Sequence, residues 1–162
     1  MKKQSLKRFL AMLLSLVMCI SCVHLQSTNV QAAAGWTEVS SVEELKEGGD
    51  FVLVAVSGEN AHALDTTISK KISPKEFDVN NSEMPIWTVN PTGDGISLLA
   101  SNGKYLAYAS STDFKSSDDA YEWKVSKTDE GFKLAASGDT GRLIAYQKSG
   151  NRYGAYKDGQ SG

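Results

Sequence analysis

One pattern recurs three times along the chain and limits what it can fold into. Phe51-x-Leu53-x-Ala55, Ile96-x-Leu98-x-Ala100 and Phe132-x-Leu134-x-Ala136 each set two large apolar residues and one small one at alternate positions. Side chains alternate across a strand, so each triplet falls on one face. A second run follows each triplet and carries Leu64, Leu106 and Ile144 at matching places. Two Trp runs also match, Ile86-Trp87-Thr88-Val89 and Glu122-Trp123-Lys124-Val125, and each Trp stands nine residues before the next unit. The units begin at Phe51, Ile96 and Phe132, 45 and then 36 residues apart. One strand-rich unit of this size cannot bury its apolar face alone, whereas three can share a core.

Local signals agree with strands. The Val-rich run Phe51–Val56 leaves a Gly48-Gly49-Asp50 turn. Ser101-Asn102-Gly103 separates two apolar runs, and Asn-Gly in that setting is a hairpin signal because both residues tolerate positive φ. Gly138-Asp139-Thr140-Gly141 plays the same part in the third unit. One helical turn is expected over 41–47, with Ser41 as N-cap, Glu44 three residues on, and Gly48-Gly49 as the stop. Gly35-Trp36-Thr37-Glu38-Val39 reads as a third Trp strand, displaced to 15 residues before Phe51 by that turn.

The N-terminus has a different character. Lys2, Lys3, Lys7 and Arg8 precede an apolar run from Phe9 to Val23, and a Val30-Gln31-Ala32 end follows. These are the three parts of a secretory signal peptide over 1–32, with cleavage after Ala32 or Ala33. The apolar run is shorter than the roughly 20 residues that span a bilayer. Residues 33–162 then form a single β-rich domain.

Cleavage removes four positive charges and no acid, leaving 13 Lys+Arg against 19 Asp+Glu, a net of −6. Such a charge argues against nucleic acid as a partner, since that needs a basic face. Cys19, Cys22 and His24 leave with the segment, so His62 is the one remaining histidine. Disulfides, a thiol nucleophile and Cys-ligated zinc are thereby excluded from the mature part. With 41% apolar and 22% charged residues, the chain is not a collagen, a coiled coil or a multi-span membrane protein.

A threefold repeat of about 40 residues with one Trp per unit resembles a ricin-type β-trefoil, whose units run from a Leu-Asp strand to a Gln-x-Trp strand. Ala63-Leu64-Asp65 followed by Ile86-Trp87 matches that frame. No unit carries Gln two residues before its Trp, and only the first keeps the Asp. From Trp36 to Tyr156 the chain is also similar to a small β-rich accessory module of large secreted bacterial surface proteins and hydrolases. The matching segments are Gly103-Lys104-Tyr105-Leu106, Arg142-Leu143-Ile144 and Arg152-Tyr153-Gly154-Ala155-Tyr156. The resemblance implies an all-β fold, a β-trefoil or another small closed barrel of three hairpin repeats. It also implies one more apolar strand after the Tyr-x-x-Tyr segment. Lys157-Asp158-Gly159-Gln160-Ser161-Gly162 is turn chemistry instead, so the domain is expected to be incomplete at its C-terminal end.

Motifs that carry chemistry elsewhere read here as structure. Asp139-Thr140-Gly141 spells an aspartic-protease signature, but Ser137-Gly138 precede it where an apolar strand is needed. Gly103-Lys104 lacks the spacing and helix of a phosphate loop. Asp113, Asp118 and Asp119 match no calcium-loop spacing. His62 shares a strand face with Leu64 and reads as packed or surface rather than catalytic. Asp65 and the rings of Tyr105, Tyr153 and Tyr156 remain as ligand-binding candidates. No catalytic residue, cofactor or metal is expected.

The expected function is a non-catalytic secreted or cell-surface module. It serves as an accessory or ligand-binding part of a larger extracellular protein, with a glycan or neighbouring domains as partner and no membrane after cleavage. The alternatives are a lectin-like carbohydrate-binding trefoil and a fragment of a secreted hydrolase. Mass spectrometry of secreted protein is expected to find a first residue of Ala33 or Ala34. Intact Met1 in a membrane fraction would overturn the export reading.

Overall fold

The structure is a computed structural model and describes residues 36–160. The export segment at 1–32 lies outside the described residues. Helix α1 (Val42–Lys46) is capped by Ser41, whose hydroxyl accepts the Glu44 N–H at 3.1 Å. The Glu44 carboxylate reaches back to the Ser40 N–H at 2.7 Å, one residue further upstream than in a standard capping box. The Ser40 N–H and hydroxyl hold that carboxyl below its ordinary range. Leu45 is buried and seats the helix against the sheet. Gly48 ends the helix at φ +80, where a Cβ would lie 3.0 Å from the Val89 carbonyl oxygen. Only glycine satisfies both conditions.

Twelve strands follow among the described residues. The first unit holds β1 (Gly49–Phe51), β2 (Val54–Ser57), β3 (Asn60–Leu64), β4 (Pro74–Glu76) and β5 (Trp87–Pro91). The second holds β6 (Gly95–Leu99), β7 (Tyr105–Ser110), β8 (Asp113–Ser117) and β9 (Trp123–Thr128). The third holds β10 (Gly131–Ala136), β11 (Asp139–Gln147) and β12 (Arg152–Lys157). All pairings are antiparallel. The main path runs β1-β5-β6-β9-β10-β11-β12, with β7 and β8 branching from β6, while β2-β3-β4 forms a separate small sheet.

The ladder registers superimpose the three units. Val54 faces Ala63, Leu99 faces Tyr105, and Ala135 faces Leu143. Leu64, Leu106 and Ile144, one residue on, are therefore equivalent, as the sequence pattern requires. Trp87 faces Phe51, and Trp123 faces Ile96. Each indole N–H donates to the carbonyl of its unit's second strand: Trp87 to Leu64 at 3.0 Å, Trp123 to Leu106 at 2.9 Å. The third strands supply one more equivalent set. Phe114 faces Tyr108, and Tyr153 faces Tyr146. Ile72 occupies the same place in the first unit, two residues before Pro74, which faces Leu64. Ile72, Phe114 and Tyr153 are all buried, and Ile72 bridges directly to Tyr153.

Three expectations need correction. The sheets are not closed: β1 and β12 stand at opposite ends of the main path. Trp36–Ser40 forms no strand, although its Trp matched Trp87 and Trp123 in pattern. The spacing explains why. Trp87 and Val89, like Trp123 and Val125, lie two apart and share a face, whereas Trp36 and Val39 lie three apart and would point to opposite faces. The third hairpin turns at Ser137-Gly138, so Asp139 already begins β11. In the Asn-Gly turn only Gly103 takes positive φ, +76, while the Asn102 side chain accepts the Lys104 N–H at 3.1 Å.

Leu98 is fully buried, while its equivalent Leu53 is only half-buried. Leu98→Ala should cost about 2–5 kcal/mol in chemical denaturation. Leu53→Ala should cost less than half of that in the same assay. Equal losses would mean that the two sites are packed alike.

Candidate functional site

The hairpins, not the main ladder, bring polar side chains together. Antiparallel pairing sets His62 of β3 opposite Ala55 of β2 and Glu76 of β4. Asn60 stands two residues before His62 and faces Ser57 at the hairpin end. From the third unit comes Asn151, at φ 43, which ends the 3-10 turn Lys148–Gly150. Asn is one of the few non-glycine residues that adopt this left-handed conformation readily. Asn60, His62, Pro74, Glu76 and Asn151 line a cleft of about 280 Å³ between the first and third hairpins.

Aromatic rings hold the two sides together. The His62 imidazole stacks on Tyr146, with ring centres 4.3 Å apart and planes 22° from parallel. The Tyr146 hydroxyl donates to Asn151 Oδ1 at 2.9 Å, which fixes the amide at the cleft edge. Tyr146 in turn leans on Tyr153 at 5.5 Å. Among the described residues no hydrogen bond or ion pair joins His62 to a carboxylate. What the cleft offers is two amides, an imidazole and an exposed carboxylate, placed to exchange hydrogen bonds with a neutral polar ligand.

Of the residues chosen from sequence, two are not available to a ligand. Tyr153 is buried, and its hydroxyl donates to the His62 carbonyl and accepts the Ala55 N–H at 3.1 Å. Burial pushes the Tyr153 phenol well above the ordinary tyrosine range, and the Ala55 N–H offsets only part of that. Tyr156 is also buried, donates to Gln147 Oε1 at 3.1 Å, and has the Lys71 ammonium 5.2 Å over its ring. Tyr153 belongs to the core, and the aligned third strands explain it, since it takes the place of Ile72 and Phe114. Asp65 is partly buried, accepts the Thr67 N–H at 3.4 Å and lies 3.9 Å from the Lys75 ammonium. Tyr105 is half-buried in the second hairpin, opposite Leu99 and Ser117. No hydrogen bond or ring contact joins any two of these four residues among those described.

The cleft residues themselves were missed. His62 reads from the sequence as a packed or surface residue, and Asn60, Glu76 and Asn151 carry no motif. The available signal was the pairing of equivalent hairpins, which brings the ends of β3 and β11 together. Nearby, Lys71 latches all three units. Its ammonium donates to the Thr112 hydroxyl at 2.5 Å, to the Thr112 carbonyl, and to Asp113 at 2.9 Å. The hydrogen bond from Lys71 holds the Asp113 carboxyl below its ordinary range. Asp118 pairs with Lys104 instead, so the acidic cluster of the sequence is divided between two cations. Among the described residues no three acidic, His or Cys side chains gather as a metal-ligand group.

A search of protein-family models, of curated proteins and of solved structures finds nothing that matches this chain.

The raised Tyr153 pKa sets an expected pH dependence. The folded state keeps the phenol neutral while the unfolded chain ionises near pH 10. The Tyr153 contribution is therefore complete below about pH 10 and declines as pH rises above it. Tyr153→Phe should cost about 0.5–1.5 kcal/mol at neutral pH by removing the hydroxyl's hydrogen bonds to Ala55 and His62. It should also flatten the alkaline decline of the melting temperature. An unchanged alkaline slope in the variant would refute the assignment.

Proposed function

We propose that this chain is a secreted, non-catalytic binding module of the β-trefoil type, and that its ligand is a carbohydrate held in the cleft between the first and third hairpins. The module acts as an accessory part of a larger extracellular protein. One observation carries the ligand class: Asn60, His62, Glu76 and Asn151 converge around a single cleft beside the His62–Tyr146 stack. Amides and a carboxylate match vicinal hydroxyls, which both donate and accept, and the aromatic pair supplies a firm apolar edge. No lysine or arginine lines the cleft, and the net charge of −6 expected after cleavage disfavours anionic ligands. The trefoil reading is supported by the threefold register and by the strand order β1-β5-β6-β9-β10, in which first and last strands of successive units alternate.

A glycan array probed with the whole chain tests this, followed by titration calorimetry on any sugar that binds. Asn151→Gly keeps the left-handed backbone and removes the amide. Glu76→Gln removes the charge and keeps the shape. Each should weaken binding about tenfold, the cost of one lost hydrogen bond to a ligand, and leave the melting temperature within about 3 °C. Tyr105→Ala, in the second hairpin, should leave affinity unchanged. Binding that survives Asn151→Gly and Glu76→Gln but fails with Tyr105→Ala would move the site elsewhere.

A further inference from the structure

The equivalence of the three hairpins extends from their apolar residues to their charged ones. Leu64 faces Pro74, Leu106 faces Ser116, and Ile144 faces Ala155. Two residues earlier on the second strand of each unit, the register sets His62 opposite Glu76 and Arg142 opposite Lys157. Lys104 and Asp118 hold the same place in the second unit, one step beyond the Tyr105–Ser117 pair, and are joined by an ion pair. Directly opposed residues of antiparallel strands share a face, with Cβ atoms about 4.5–5.5 Å apart. The first two pairs thus set a base against an acid. The third sets two cations against each other, an arrangement that is destabilising by itself.

The acids nearby do not balance it. Asp139 Oδ2 lies 3.7 Å from the Arg142 Nε, beyond hydrogen-bond distance, and that buried Nε has no hydrogen-bond partner among the described residues. The other Asp139 oxygen accepts the Gly141 N–H at 3.2 Å. Asp158, next to Lys157 in the chain, is engaged by the Lys133 ammonium at 2.7 Å. The guanidinium is therefore not locked into a two-point pair with either carboxylate. The Arg142 side chain keeps 17% of its surface exposed, and Lys157 is exposed, so solutes reach the pair from one end.

We propose that Arg142 and Lys157 form an anion site that takes a carboxylate or sulfate group. The guanidinium grips two oxygens of the group through its planar fork, and the ammonium adds a point charge from the neighbouring strand. The net charge of −6 expected after cleavage disfavours anions over the chain as a whole. The local pair prevails only at short range, within a Debye length of about 8 Å at physiological ionic strength. The site lies on the third hairpin, apart from the Asn60–His62–Glu76 cleft wall. It rests on the strand register and not on the carbohydrate reading.

Thermal melts of the full chain at constant ionic strength test this, with sodium chloride exchanged for sodium sulfate or sodium glucuronate. Both anions should raise the melting temperature by about 2 °C or more over chloride. The Arg142 Nε–H signal should shift in two-dimensional NMR as either is added. Sulfate also stabilises folded chains in general by exclusion from their surface, so the response of the site is the difference between the parent chain and Lys157→Glu. That variant restores the base–acid form of the other two units. It should melt about 2 °C higher in chloride and lose the specific response to both anions. Arg142→Lys keeps the charge without the fork and should weaken anion binding about tenfold. Glucuronate acting at lower concentration than sulfate would assign the group to an acidic saccharide, and the reverse order to a free inorganic anion. An unshifted Arg142 signal, or a Lys157→Glu variant that responds to the anions as the parent does, would overturn the site. A neutral sugar bound in the cleft would leave all of these readings unchanged, so failure here and failure of the carbohydrate reading are distinguishable.

Discussion

Two buried indole N–H groups tie the ladder to the hairpins. Trp87 and Trp123 are 0% exposed, so a free N–H there would carry a desolvation cost of about 1–3 kcal/mol. Each finds its acceptor in the second strand of its own unit, at Leu64 and Leu106. The hairpin therefore cannot slide along the strand that carries the Trp. A one-residue slip would turn Leu64 or Leu106 out of the core and leave the indole unpaired. Leu98, Ile96 and Val89 pack in the same buried cluster as the rings that this bond fixes. Directional hydrogen bonds set the register, and apolar burial supplies most of the stability.

The ladder was legible in the sequence because its signal has period two. Leu98, Leu134, Ala100 and Ala136 are inward where the triplets place them, and Trp87 and Trp123 are core. Helix α1 begins at its capping residue and ends at its glycine. Legibility failed where one residue of spacing decides a face. Trp36 reads like the other two Trp residues until the position of Val39 is counted. The burial of Tyr153 and Tyr156 escapes the sequence for a related reason. Tyrosine suits both a platform and a core, and only the alignment of the third strands separates Tyr153 from an exposed ring. His62 and Asn151 are 89 positions apart in sequence. No local pattern announces a cleft that two distant hairpin ends create.

The same hairpin ends explain why polar side chains gather at this cleft. Strands in the ladder spend their polar groups on one another. Loops and turns keep theirs free for water or a ligand, on a frame that the strands hold still. Tyr153 links the two roles. Its ring fills the core position shared with Ile72 and Phe114, and its hydroxyl reaches the backbone of Ala55 and His62. The strand that carries the cleft histidine is thus anchored from the core side. Tyr146 lies between them, touching His62 on one face and donating to Asn151. The geometry of the cleft is in this way a consequence of how the third unit packs against the first.

That dependence connects the cleft to the open edge of the ladder. The third unit is held to the first through Tyr153, Tyr156 and the Lys71 latch, all on the hairpin side. On the ladder side, β10 and the first run of unit one share no hydrogen bonds among the described residues. The cleft geometry therefore rests on the hairpin-side contacts: the Ile72–Tyr153 bridge, the Tyr153 hydroxyl on Ala55 and His62, and the Lys71 ammonium over the Tyr156 ring.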